Sequence, residues 1–397
     1  MPLSVIIRIW PLFLGMGVLM LGAGLQSTLL GLRATLEGFP TPVTGIIMSC
    51  YYLGYVSGTL IAPPLLRKLG HIRVFAALAA VASVAILIQG LFVNPATWAA
   101  MRLVSGVSFA AIYVVAESWL NDRASRLNRG RLLAVYMVVS YVGLGAAQFL
   151  LIVSDPRTLA PFMLVGLLIC LAMVPIVVSA QQLPPRAGHR KVRVLELYRD
   201  SPLGVVGVIA SGLISSIVFS MGPVYARLSG LNTTGVATFM AVSILATVTT
   251  QYPVGRLSDR IDRRTVIAGV CTITMIAAVS IVAFPNMPHA VFLTLAALFS
   301  GFALTLYSLS VSHVNDKLES AQMVAASSTL LLLNGSAAAI GPTLAGSLMA
   351  AFGPTAYFST LATLAGALAV FDLWRKSRRK PVPPSHKDPF VGAQPRA

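Results

Sequence analysis

Twelve stretches of the chain, 9–31, 43–66, 74–93, 97–120, 132–153, 159–180, 203–226, 234–256, 265–284, 289–311, 322–350 and 355–374, are long, apolar and almost free of charge. Each is close to the roughly 20 residues that an α-helix needs to cross a hydrocarbon core. Inside lipid the backbone must satisfy its own hydrogen bonds, so only helices and closed barrels can span. Barrel strands would be about half as long and would alternate polar with apolar residues, which these runs do not. An all-α membrane protein is therefore expected. Composition agrees, because 56% of residues are hydrophobic and only 10% are charged, outside the range of a soluble domain. The first run follows Arg8 but is longer than a signal-peptide core and is soon followed by a second, so it is expected to be a retained helix. Cys50, Cys170 and Cys271 fall inside spans, where they serve as small apolar residues rather than as a disulfide or metal framework.

The formal charge of +17 raises the question of a nucleic-acid partner, but its placement gives it another job. If the first helix starts in the cytoplasm, every loop Lys and Arg except Arg33, Arg157 and Arg227 lies on the cytoplasmic side, and Arg102 alone lies within a span. That asymmetry orients the chain in an inner membrane with both termini inside and offers contacts to anionic lipid headgroups. The polar stretch 181–202 divides six spans from six. The expected organisation is thus an N-terminal bundle, 1–180, a cytoplasmic linker with its "RVLELYRD" as a solvated connector or short surface helix, a C-terminal bundle, 203–374, and a proline-rich, disordered tail, 375–397.

The halves repeat a motif. "GRLSDRIDRR", 255–264, ends the eighth span, and "PPLLRKLGHIR", 63–73, ends the second. The former resembles the G-x-x-x-D-R-x-G-R-R signature of the major facilitator superfamily, with Gly255, Asp259, Arg260, Arg263 and Arg264 in place and Asp262 where glycine is usual. In the first copy Lys68, Gly70 and Arg73 fit, while Pro63 and Arg67 replace the glycine and the aspartate. "RLVSG", 102–106, is similar to the family's fourth-helix R-x-x-x-G motif, and "AAAIGPTLAG", 337–346, to its G-P-x-x-G-G antiporter helix, here in the eleventh span. Within the superfamily, "VVAES" followed by "NRGRLLAVYMVVSYVG" resembles the YcaD-like subgroup. The resemblance implies two pseudo-symmetric six-helix bundles that rock around a central site, with the basic turns as gates.

The fourth span carries the sharpest signal. On a helix, Arg102, Gly106, Phe109, Tyr113 and Glu117 fall on one stripe. A charge facing lipid costs roughly 3 kcal/mol or more, so this stripe is expected to face the bundle interior and a watery crevice. Fifteen residues at about 1.5 Å each hold the two charges roughly 22 Å apart, too far to pair. Arg102 is then either a fixed positive charge for an anionic or carbonyl-bearing solute or a packing arginine bonded to first-helix carbonyls. Glu117 is a gate residue paired with Arg73 or Arg131, as the resemblance implies, a proton carrier, or an acid that snorkels to the interface. Gln26, Tyr136, Tyr141, Gln148, Gln251, Tyr307 and Asn334 are further polar residues within spans, able to furnish an aromatic, sparsely charged pathway or to bond helix to helix. His313 is expected in a solvated inner loop.

No G-x-x-x-x-G-K-[ST] loop supplies nucleotide energy, and no H-E-x-x-H or G-x-S-x-G motif supports an enzyme. No cofactor or metal is expected. The function expected is a monomeric secondary transporter, proton-coupled, moving a small amphipathic or aromatic organic solute. Uptake of an anionic or vitamin-like, for example flavin-like, solute and a nontransporting sensor are the alternatives.

Overall fold

The computed structural model describes residues 3–123, 129–179, 194–318 and 320–376, and among them every regular element is a helix. In order these are α1 Leu3–Leu36, α2 Thr41–Leu69, α3 His71–Leu91, α4 Pro95–Arg123, α5 Arg129–Leu150, α6 Ala160–Ser179, α7 Val194–Asp200, α8 Pro202–Leu228, α9 Thr233–Arg260, α10 Arg263–Ala283, α11 His289–Ala303, α12 Leu306–Asn315, α13 Ser320–Ala338, α14 Gly341–Phe352 and α15 Ala356–Lys376. They make twelve helical crossings, because α11 with α12 and α13 with α14 are two halves of broken spans. Both breaks have local causes. Thr305 turns its hydroxyl back onto the Phe302 carbonyl at 2.7 Å. Pro342, at the start of α14, has no N–H to continue the ladder from α13.

Helices α1–α6 pack among themselves, as do α8–α15, and the halves meet where α2 lies on α13 and α14, α5 on α9, and α1 on α8. α8 is nearly enveloped while α6 sits at the rim, with 83% and 39% of their apolar windows buried. The rim helix turns Leu167, Leu171, Val174 and Val178 outward, as a lipid-facing surface requires. Between α2 and α4 the approach is so close that a side chain at Gly106 would overlap the Tyr51 carbonyl, and one at Gly54 the Leu103 carbonyl. Only glycine permits these backbones to touch.

The loops define a basic end, with turns 67–73 and 256–264, and a low-charge end, with turns 37–40, 151–159, 229–232 and 353–355. Toward the low-charge end the halves are in direct contact. Ser27 donates to the Phe219 carbonyl at 3.0 Å, and the hydroxyls of Ser49 and Thr343 lie 2.8 Å apart. Glycines again allow the contact, Gly45 against the Pro342 carbonyl and Gly346 against that of Thr41. The "GPTLAG" stretch of the eleventh span, 341–346, thus builds this seam.

Within the "RVLELYRD" stretch, residues 194–200 form a docked helix rather than a solvated connector. α7 buries Leu197 in a cluster with Val205, Val208, Tyr307 and Val314, and Lys317 Nζ donates to the Asp200 carbonyl at 3.1 Å, where cations suit a helix C-terminus. The expectations for residues 180–193 and for the tail from 377 lie outside the described residues.

Candidate functional site

Where α1, α2, α4, α5, α8 and α9 converge, they enclose a cavity lined by Gln26, Tyr51, Arg102, Phe109, Gln148 and Phe219 among others. The cavity is narrow, with a volume of about 20 Å³, room for roughly one water. The expected watery crevice is contracted to a slit at this level. Its walls divide by chemistry. All its charged, amide and hydroxyl side chains come from α1, α2, α4 and α5, namely Arg102, Gln26, Gln148, Ser27, Thr28 and Tyr51, beside apolar Phe109 and Leu144, whereas α8 and α9 contribute only Phe219, Met240 and Ile244.

Arg102, seven residues into α4, is 3% exposed with its guanidinium carbon 4.3 Å from the Tyr51 ring centroid. Burying that charge costs roughly 2.5–3.5 kcal/mol on insertion scales, and a desolvated cation–π contact returns about 2 kcal/mol. Among the described residues no carboxylate pairs with it, and its Nε meets no hydrogen-bond acceptor. The alternative of an arginine bonded to first-helix carbonyls is therefore not what the structure shows. The amides beside it are held: Thr28 donates to Gln148 Oε1 at 2.7 Å, Gln148 Nε2 to the Leu144 carbonyl at 2.9 Å, and Gln26 Nε2 to Ser105 Oγ at 3.5 Å.

The fourth-span stripe does face inward, but against α2 more than against the slit. Phe109 packs on Tyr51 with centroids 6.3 Å apart, and Tyr113 on Tyr55 at 6.3 Å, with its hydroxyl 3.9 Å from Met20 Sδ. Glu117 is half-buried near the basic end. Arg73 is exposed and makes no ion pair among the described residues, so the Glu117–Arg73 closure is not formed in this conformation; the Arg131 side chain lies outside the described residues.

Of the other candidates only Gln26 and Gln148 join Arg102 at the cavity. Tyr136 and Tyr141 are buried in the main core, and Tyr307 in the smaller cluster under α7. Gln251 Nε2 reaches Ser308 Oγ at 3.4 Å. Asn334 donates to the Val208 carbonyl at 3.0 Å and to Ser211 at 3.1 Å, which makes it a bond between α13 and α8. His313 is 3% exposed, not solvated, because the turn after α12 folds under α7 and α8.

The two basic turns differ. Gly70 takes φ +79° between α2 and α3, a left-handed turn that favours glycine. Asp262 keeps φ at −57° and instead caps α10, accepting from Arg264 N, as N-cap aspartates do. Lys68 and Arg260 are exposed, whereas Gly255 is buried. Arg263 is 1% exposed and pairs through Nε with Asp316 Oδ2 at 2.8 Å and through Nη2 with Asp259 at 3.3 Å. Arg264 lies 3.9 Å from the Asp262 carboxylate. Sequence reasoning missed Asp316 and Tyr51. A signal existed for the first, since Asn315-Asp316-Lys317 repeats Asn121-Asp122-Arg123 of the first half.

The sequence profile of the Major Facilitator Superfamily matches residues 12–326 and 233–396. The chain belongs to the major facilitator superfamily. It is 30% identical over 353 residues to the MFS-type transporter YcaD of Escherichia fergusonii, covering 88% of this chain and 91% of that one. An MFS-type transporter of Enterobacter sp. strain 638 is 29% identical over 354 residues, with 88% and 91% covered. Among solved structures the fold is similar to the nucleoside transporter NupG (TM-score 0.75, 13% identity, 94% of this chain and 99% of that chain). It is also similar to a single-residue variant of the E. coli fucose:proton symporter FucP (TM-score 0.60, 15% identity, 94% and 99%). This superfamily membership explains the resemblances of the two basic turns and of "RLVSG", and the relatives are named as transporters.

Proposed function

We propose that this protein is a monomeric secondary transporter of an inner membrane that moves a small amphipathic or aromatic organic solute by alternating access. The observation that carries the reading is the cavity itself: its walls come from both halves, it contains the buried Arg102, and the seam beside it is held by light contacts such as Ser27–Phe219 and Ser49–Thr343. A seam of hydroxyl bonds and glycine contacts separates at modest cost, so rocking the halves would widen the slit and expose it to one side at a time. With the basic end in the cytoplasm, the end where the halves touch is external. Coupling to protons is proposed because gradients are the energy source left to such a chain, and FucP, a proton symporter by name, shares the fold. Glu117 on α4 would serve that coupling or the gate. Lipid is the surrounding partner, and nucleic acid is not one.

The test is flux. Proteoliposomes given labelled aromatic and amphipathic solutes should accumulate at least one of them when an inward or outward pH gradient is imposed, and Glu117→Gln should flatten the dependence on that gradient. Accumulation equal to that in protein-free vesicles for every solute, under both gradients, would contradict the reading.

A further inference from the structure

We propose that the cargo is an amphipathic organic monoanion, of the aromatic carboxylate class, whose charged head is held by the N-terminal half and whose apolar body is held by the C-terminal half. This rests on the transport reading and adds to it the identity of the charge. Two observations point the same way.

The first is the state of Arg102. A guanidinium that is 3% exposed and has no carboxylate partner among the described residues is a buried charge awaiting an opposite one. The Tyr51 ring lies 4.3 Å from the guanidinium carbon, and the buried Nε has no acceptor, so N–H groups at the guanidinium edge are left for a ligand. That edge suits the paired oxygens of a carboxylate, which guanidinium binds in a fork. A cationic solute would be repelled here, and a neutral one would leave the charge uncompensated.

The second is the segregation of the walls. Every charged or amide group lining the cavity belongs to α1, α4 or α5, and everything from α8 and α9 is apolar. Gln26 and Gln148 line the cavity with Arg102. Gln26 Nε2 reaches Ser105 Oγ and keeps a second N–H for a polar head, which is thus oriented at little ordering cost, while Gln148, with both N–H groups on the Leu144 and Gly24 carbonyls and its oxygen accepting from Thr28, is a fixed polar wall beside it. Across the slit, Phe219 and Met240 offer a ring and a thioether, surfaces that favour a flat apolar body. An inorganic anion would satisfy Arg102 but make no use of that wall. When the halves rock apart, such a cargo keeps its charge on the first half and loses its apolar cover on the second.

The test is ligand-dependent thermal stabilisation of the purified full-length protein in lipid nanodiscs. The probes are benzoate, 4-hydroxybenzoate and indole-3-acetate, each beside its uncharged carboxamide, with chloride and nitrate as inorganic anions. At least one carboxylate should raise the melting temperature saturably, with its carboxamide binding about ten-fold or more weakly, the expected share of a charge-assisted hydrogen bond. Arg102→Gln should erase that preference, and Arg102→Lys should retain it at reduced affinity, which covers a failure of the first variant to fold. Phe219→Ala should weaken every aromatic acid while keeping carboxylate above carboxamide. The proposal is overturned if carboxamides match carboxylates, if chloride or nitrate matches them, if the preference survives in Arg102→Gln, or if none of the carboxylates binds. Gradient-driven accumulation of an uncharged solute would leave the transport reading standing while removing this one.

Discussion

Arg102→Gln is expected to reduce flux to within a few per cent of the protein-free background, a loss of about 100-fold or more, without lowering the melting temperature of the protein. The two halves of that result come from the same geometry. If the guanidinium makes two charge-assisted hydrogen bonds to cargo, each is worth roughly 1.5–3 kcal/mol, and together they exceed the 2.7 kcal/mol or so that separates hundred-fold rates. In the folded protein, by contrast, Arg102 pairs with no carboxylate among the described residues, and its main compensation is the Tyr51 ring. Removing it leaves no orphaned anion and relieves a desolvated charge, so stability should hold or rise. Flux in proteoliposomes and thermal unfolding of the same preparation check both halves. Undiminished flux would exclude Arg102 from the pathway, and a collapse of the fold would show that it is a packing residue.

Asp316→Ala should do the reverse. Arg263 and Asp316 lie 2.8 Å apart with side-chain exposures of 1% and 2%, and breaking such a pair leaves an uncompensated buried cation at a cost of about 3–5 kcal/mol. Asp259 remains 3.3 Å away but is 38% exposed, so it screens the loss only in part and the lower end of that range is expected. A hydrophobic pair of similar volume avoids the orphan. The double variant Arg263→Met, Asp316→Leu should therefore recover most of the stability. Reversible unfolding of the three variants in one detergent measures this, and a double variant no better than Asp316→Ala would mean that the pair contributes more than mutual neutralisation.

How much of this was legible beforehand depended on which forces act along one helix and which act between helices. The crossings were legible because the bilayer sets their length and forbids charge, and each of the twelve runs coincides with a helical span, counting the two broken ones as single crossings. The inward face of α4 was legible for the same reason, since only burial in protein offsets the cost of Arg102 and Glu117. What lay opposite that face was not. A helical wheel gives a direction and no neighbour, so Tyr51, which covers the guanidinium, gave no sign of its partner. Asn334 and Gln251 illustrate the converse, because a polar side chain in a span satisfies itself on an adjacent helix as readily as it lines a pathway. Asp262, an irregularity against the family's motif, became intelligible only as an N-cap, a local solution to the same turn that Gly70 makes with a positive φ. The contraction of the cavity follows from how the halves lean together, a tertiary property with no sequence period.

That leaning is also where the account is most directly exposed. With Ser49 and Thr343 replaced by cysteine, the two side chains stand where hydroxyls now lie 2.8 Å apart, close enough for a disulfide across the seam between α2 and α14. Solute exchange in proteoliposomes should then fall to background when the pair is oxidised and return on reduction, because halves tied at the low-charge end cannot expose the cavity there. Full exchange through quantitatively cross-linked protein would mean that cargo crosses without the halves parting, and the central claim would fail.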